Sequence, residues 1–394
     1  MIVYRKQEND MHEFSFYNPV RYLFGKGVIQ NLGTHAAGLG KKALLVTTPG
    51  KTFALYGDKI RNLLTQSGVA CEVFTGVQPN PLASSVRQGA NLAAETACDL
   101  IIGLGGGSAM DTAKGIAFLT RKEGDIFDYI TGKRTGTTAL PIICITTTAG
   151  TGSEGNCTAV FTNDTTLDKK GLVNPLIFPK VSFIDSEFMA SLPRNLIAGP
   201  GCDALFHAFE SYLSKDRTPI SQMYSLEAMR LSIENLPKVY HNPEDFEAWD
   251  KVILANTLAG IAIGCAGTTV PHALGQPVSG LLNVAHSDSL LCLYPAFMKF
   301  TAHAAPERFA KLAELLGCDT ADMSPEEAAQ CSINGMIGFL KGIDSYKKLS
   351  QFGVTADHVD RLAESATTIM KVVLNKNPIV PTLEQVKELY LESL

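Results

Sequence analysis

The chain has 394 residues, 45% of them hydrophobic and 19% charged, with a formal net charge of −5. That length exceeds one ordinary core and points to a soluble globular protein of two domains, while an acidic balance without a basic stripe or tail argues against a nucleic-acid partner. No signal peptide or run of ~18 apolar residues stands out, and nine cysteines occur without a C-x-x-C pair, so the expectation is a cytoplasmic protein with reduced thiols and no membrane partner.

Residues 1–10 are polar and patternless, and Met11 reads as the original initiator behind an extension or tag. Residues 12–23 alternate enough for an edge strand, and 28–37 suit a short helix. The apolar run 42–47, bounded by Thr48-Pro49-Gly50, reads as a buried parallel strand. A helix over 52–67, a strand over 70–75, a turn over 77–81, a helix over 84–96 and a second buried strand over 100–104 follow. That strand runs directly into Gly105-Gly106-Gly107-Ser108, and a strand over 142–146 then delivers Thr147, Thr148 and Thr151, whose hydroxyls can reach a cofactor or substrate. Such alternation predicts right-handed β-α-β units and a sheet covered on both faces.

After Leu192-Pro193 the alternation stops. Helices are expected over 195–214, 220–235, 243–264, 289–301, 306–316, 324–343, 355–363 and 382–391, with no internal repeats. The reading is an α/β domain over 1–192 followed by an all-helical domain over 193–394.

Glycines between a strand and a helix let backbone approach a phosphate, and a helix N-terminus offers N–H groups and partial positive charge. The run Gly105-Gly106-Gly107-Ser108 is not G-x-G-x-x-G, so by pattern it marks an anion cradle or simply a tight turn. In the helical half, Gly199-Pro200-Gly201 reads as closing a loop ahead of Asp203, His207 and Glu210. Residues four apart share a helix face, so Asp203 and His207 project together, as half of a metal site or as an ordinary ion pair. Of the five histidines downstream, two stand in comparable company. His272 sits in an apolar, small-residue helix running in from Leu254, and His286 follows a Gly-rich break.

Taken together, these stretches resemble the iron-containing alcohol dehydrogenases almost end to end. Their opening F-x-x-P-x-x-x-x-F-G-x-G is matched by Tyr17-Asn18-Pro19 and Phe24-Gly25-Lys26-Gly27. Their G-G-G-S-x-x-D-x-A-K is matched by Gly105 to Lys114, and their T-T-A-G-T-x-x-E by Thr147 to Glu154. The resemblance implies a dehydroquinate synthase-like fold: an α/β nucleotide-binding domain and an all-helical metal-binding domain, with the active site in the cleft between them. It implies one divalent ion, Fe(II) with Zn(II) or Mn(II) as alternatives, held by Asp203, His207, His272 and His286. It assigns Gly105, Gly106, Gly107 and Ser108 to the diphosphate of NAD or NADP, with Thr48, Asn80, Thr147, Thr148, Thr151, Thr158 and Lys169 also on the cofactor side. Lys169 matches a lysine near the nicotinamide ribose; otherwise it is a solvated hairpin residue.

The implied chemistry is hydride transfer between a small alcohol or aldehyde and the nicotinamide, with the ion as Lewis acid. Two departures bear on it. Gln276 stands where the family often has a histidine near the substrate, so a proton relay there needs water, Thr158 or a cofactor hydroxyl. Ala285-His286-Ser287 replaces P-H-G but keeps the imidazole. Small residues over 264–280 suggest a short primary alcohol or aldehyde. Thr48 stands where the family has an Asp that favours NAD, and Lys51 follows, so NADP is expected to serve at least as well. Self-association to a homodimer or larger is expected of the family. A dehydroquinate synthase-like lyase, which needs several basic residues, and a non-catalytic relative are the competing readings.

Overall fold

The computed structural model describes residues 13–190 and 192–394, so the expectations for residues 1–10, for Met11 as initiator and for His12 lie outside the described residues. The amino-terminal half comprises β1 (Arg21–Phe24), α1 (Leu32–Ala37), β2 (Lys42–Thr47), α2 (Lys51–Gln66), β3 (Ala70–Phe74), α3 (Ala83–Glu95), β4 (Leu100–Gly105), α4 (Gly107–Leu119), α5 (Ile126–Ile130), β5 (Ile142–Thr146), β6 (Thr158–Thr162), β7 (Lys169–Val173) and β8 (Val181–Ile184). Six of these strands form one sheet in the order β1-β8-β5-β4-β2-β3, parallel throughout. Its strands are apolar on both sides because both faces are covered. Leu44, Val46, Ile101 and Cys144 pack on one face against α3 and α4, while Ala43, Leu45, Ile102 and Ile145 pack on the other against α1 and α2.

After β2 the chain adds β3 on one side and then returns to place β4 on the other. The direction of winding therefore changes between β2 and β4. In open parallel sheets, ligands settle outside the strand carboxyl ends at such a switch point. There Thr47 is in register with Leu104, which sets Thr48 beside the Gly105 end of β4.

The remainder is helical: α6 (Arg194–Leu213), α7 (Pro219–His241), α8 (Phe246–Ala266), α9 (Val270–Leu282), α10 (His286–Thr301), α11 (Pro306–Leu315), α12 (Pro325–Gly342), α13 (Val359–Thr368), α14 (Lys371–Leu374) and α15 (Leu383–Glu392). One large core joins them, with Phe206, Phe209, Trp249, Tyr294 and Phe297 buried at its centre. Helix α8 is long and apolar enough to span a membrane, a stretch the sequence reading passed over; most of it is buried inside this core.

Three expectations are corrected, and one pair of strands is added. The edge strand starts at Arg21 rather than residue 12, because Asn18 turns its amide to the Gly155 carbonyl (2.9 Å) and Pro19 has no N–H to give to a ladder. An antiparallel pair, β6 and β7, lies between β5 and β8, where no strands were assigned from the sequence. Gly199-Pro200-Gly201 does not close a loop: α6 runs straight through Pro200, whose ring rests on the bare backbone of Gly150. Nor does the helix from Leu254 reach His272. It ends at Gly267, which takes a left-handed φ of 72°, and α9 starts afresh at Val270.

Candidate metal centre and cofactor cleft

Helix α6 is buried nearly all round, so it carries Asp203, His207 and Glu210 into the interior, at 3%, 5% and 0% exposure. The fresh start of α9 brings His272 in as its third residue, and α10 begins at His286 itself. The three helices converge so that four residues distant in sequence become neighbours. Asp203 Oδ1 lies 3.6 Å from His207 Nε2 and 3.4 Å from His272 Nε2. The His207 and His272 rings stack with centroids 4.5 Å apart, and His286 meets His272 edge-on at 5.2 Å.

The outward nitrogens of two of these rings are already held. His207 Nδ1 lies 3.2 Å from the Gly150 carbonyl, and His272 Nδ1 lies 2.7 Å from Glu210 Oε1. Glu210 Oε2 in turn accepts from the Thr269 amide at 2.7 Å, which ties α6 to the start of α9. An imidazole fixed at Nδ1 in this way presents Nε2 as a ligand. The inward atoms are not held. Asp203 Oδ1, His272 Nε2 and His286 Nδ1 are buried without a hydrogen-bond partner, and one ligand atom each from Asp203, His207 and His272 falls within 4.8 Å of the others. Buried polar atoms are rarely left unmet, and the close approach of Asp203, His207 and His272 fits a coordinated cation; His286 stands against the His272 ring, outside that group of three.

The electrostatics agree. Burial opposes charge on Asp203, yet His207, His272 and His286 hold its carboxyl far below the usual range. Burial pushes His272 down as well, but Glu210 and Asp203 outweigh it and raise the imidazole to about 9. A position that attracts a proton so strongly attracts a metal ion for the same reason. Burial keeps His207 and His286 neutral, with Lys169 adding to the effect on His286. The residues present therefore fit a divalent ion with imidazole and carboxylate donors.

A cavity of about 360 Å³ opens from this cluster toward the sheet. Gly107, Ser108, Thr148, Thr151, Thr158, Lys169 and Asn80 line its sheet side, and Gln276 stands with the four ligand candidates on the helical side. The start of α4 points there with no side chain capping it, as a phosphate cradle requires. Gly105, Gly106, Thr147 and Thr48 lie behind this wall rather than in it: the Thr147 amide donates to the Gly105 carbonyl (3.0 Å), and Thr48 follows the end of β2. Close packing also dictates the glycines themselves. A Cβ on Gly106 would stand 2.6 Å from Thr148 Oγ1, and one on Gly107 would stand 2.4 Å from Thr151 Cγ2. Lys169 is not a solvated hairpin residue. It is 7% exposed, donates to Asn80 Oδ1 at 2.9 Å, and burial lowers its ammonium to about 8.

Several supporting residues went unassigned in the sequence. Asn256 Oδ1 accepts from the Gly150 and Gly152 amides (2.6 and 3.0 Å), and its Nδ2 donates to Glu154 Oε1 (2.8 Å). The threonine loop is thus clamped to α8, whose Gly260 leaves no room for a Cβ against Gly152. Lys114 is wholly buried and donates to five oxygens of Ser153, Asn156 and Thr158 at 2.6–3.3 Å. Asp111 accepts from Ser153 Oγ and the Val160 amide. The letters D, K and E of the two motifs were visible, but their role as braces depends on partners 39 to 102 residues away.

The comparisons with known proteins follow the same division. The family model described as iron-containing alcohol dehydrogenase matches residues 19–186, and that of the Fe-containing alcohol dehydrogenase family, C-terminal, matches 197–394. The NAD-dependent methanol dehydrogenase of Bacillus methanolicus is 31% identical over 381 residues, covering 96% of this chain and all of that one. The 1,3-propanediol dehydrogenase of Citrobacter freundii is 35% identical, covering 90% of this chain and 92% of its own. The crystal structure of an archaeal halo-thermophilic alcohol dehydrogenase from a Red Sea brine pool superposes with a TM-score of 0.92 at 30% identity, covering 98% of this chain and 100% of that one.

Proposed function

The chain belongs to the iron-containing alcohol dehydrogenase family, and on that premise we propose how its own residues carry the oxidoreductase reaction between a small alcohol or aldehyde and a nicotinamide cofactor. Asp203, His207, His272 and His286 hold one divalent ion, iron by family and equally compatible with zinc or manganese as donors. That ion supplies Lewis acidity to an alcohol or carbonyl oxygen. Glu210 and the Gly150 carbonyl keep Nε2 of His272 and His207 turned inward. The amides of Gly107 and Ser108 at the start of α4 receive the cofactor diphosphate, and Thr148, Thr151 and Thr158 offer hydroxyls along its path. Lys169, held by Asn80, stands at the ribose. Gln276 cannot titrate, so the proton leaves through the Thr158 hydroxyl, a cofactor hydroxyl or water.

Three finer points belong to the same proposal. Thr48 carries no charge to exclude a 2′-phosphate, so NADP(H) serves at least as well as NAD(H). Strand β1 is an outer strand paired only to β8, and its free edge suits a homodimer in a cytoplasmic enzyme. The two units divide at 192.

The carrying observation is the convergence of unpartnered ligand atoms across the cleft from an uncapped helix start. The test is consumption of reduced cofactor by metal-loaded protein with a panel of short aldehydes. Aldehyde-dependent turnover is expected; none with any aldehyde, at full metal loading, contradicts the reading.

A further inference from the structure

Gln276 lies one turn beyond His272 on α9, about 6 Å further along the same face. It is 7% exposed and lines the cavity beside the ligand cluster. Its Oε1 is enclosed without a hydrogen-bond partner, and among the described residues the side-chain amide makes no hydrogen bond at all. Its surroundings explain why. Of the polar side chains near α9, Ser279 is engaged with Ser289, Glu210 with His272 and Thr269, and Lys169 with Asn80. A primary amide left unmet in a closed site is costly, and a site built to bond a substrate group rejects the analogue that lacks it.

Resting on the proposed dehydrogenase reading, we propose that Gln276 determines specificity: it selects short alcohols and aldehydes that carry a second hydroxyl near the reacting carbon. The amide has a donor and an acceptor, and rotation about its last bond exchanges them. A hydroxyl also donates and accepts, so it complements the amide in either orientation. A plain alkyl chain leaves the buried Oε1 unmet. A carboxylate accepts only, so it satisfies Nε2 and leaves Oε1 facing negative charge. The order of preference is therefore hydroxyl, then carboxylate or alkyl.

The experiment uses metal-loaded enzyme and matched pairs: ethane-1,2-diol against ethanol, and 2-hydroxyacetaldehyde against acetaldehyde, with glyoxylate as the anionic control. The parent is expected to favour the hydroxylated partner roughly 10- to 100-fold in kcat/KM. Gln276→Leu and the unbranched Gln276→Met should each bring that ratio near one, chiefly through KM of the hydroxylated partner. Calorimetric binding of ethane-1,2-diol and ethanol to the enzyme–cofactor complex should show the same selectivity and the same loss. Turnover that favours the plain partner in the parent, or a ratio that survives in both variants, overturns the inference and leaves the dehydrogenase reading standing. Diol-selective binding without turnover of any pair supports the inference and overturns the dehydrogenase reading instead.

Discussion

Two buried polar clusters face each other across the cleft, and they are built on opposite terms. On the sheet side, Lys114 meets five oxygens, Asp111 meets two donors, and Glu154 holds Asn256 and Thr257 through Oε1, with only its Oε2 unmet. Burial pushes Asp111 up and Lys114 down, and each opposes the shift of the other. On the helical side, Asp203 Oδ1, His272 Nε2 and His286 Nδ1 make no hydrogen bond among the described residues. The first cluster finds nearly all its partners within the chain and serves the fold; the second fits an ion. Burial of charge does not by itself indicate function. What distinguishes the two is whether the protein has already supplied the partner.

The comparison makes its largest claim at Lys114. Lys114→Met removes the buried ammonium from the sheet-side cluster, leaves Asp111 without it, and frees the loop carrying Thr158. A cost of about 3–5 kcal/mol is expected, read by urea denaturation of metal-loaded protein, with metal content of the folded fraction near that of the parent. A variant of parental stability would mean that this cluster is not the brace described here.

Glu210 is the point where the helical cluster leans on the chain. Glu210→Gln keeps the shape but weakens the hold on His272 Nδ1, and a 10- to 100-fold loss of metal affinity is expected, as for other carboxylates behind a metal-binding histidine. Competition with a chelator of known affinity measures it. An unchanged affinity would show that ring packing alone orients His272.

Thr48 carries the smallest effect, because it follows the end of β2, outside both clusters and outside the cavity lining. Thr48→Asp should shift the kcat/KM ratio roughly tenfold from NADPH toward NADH, the size expected for an acidic side chain that bonds a 2′-hydroxyl and repels a 2′-phosphate. A parent that strongly prefers NADH, or an unchanged ratio in the variant, would mean that this turn does not read the ribose.

Much of the sheet half was legible from local pattern. The runs at Lys42–Thr47 and Leu100–Gly105 are apolar throughout because both faces are covered, and Gly105-Gly106-Gly107-Ser108 marks the strand-to-helix turn. The helical half was legible as helices but not in its breaks. Pro200 is a helix breaker by local rules, yet α6 passes through it because packing against Gly150 and the surrounding core outweighs one lost hydrogen bond. Gly267 looks like the glycines around it, and only its left-handed φ ends α8. The ligand set followed from resemblance to family motifs, since nothing in the spacing of His272 and His286 relates them to Asp203. The braces at Lys114, Glu154 and Asn256 were hidden for a simpler reason: they depend on long-range contacts that no local pattern encodes.

In the proposed site one divalent ion per chain completes the helical cluster. The direct measurement is metal stoichiometry by elemental analysis after loading with ferrous or zinc ion and exhaustive dialysis, on the parent and on His272→Ala, with circular dichroism to confirm folding. The account predicts one ion per chain in the parent and almost none in the folded variant. Full metal content in folded His272→Ala, or no retained ion in the parent, would contradict it.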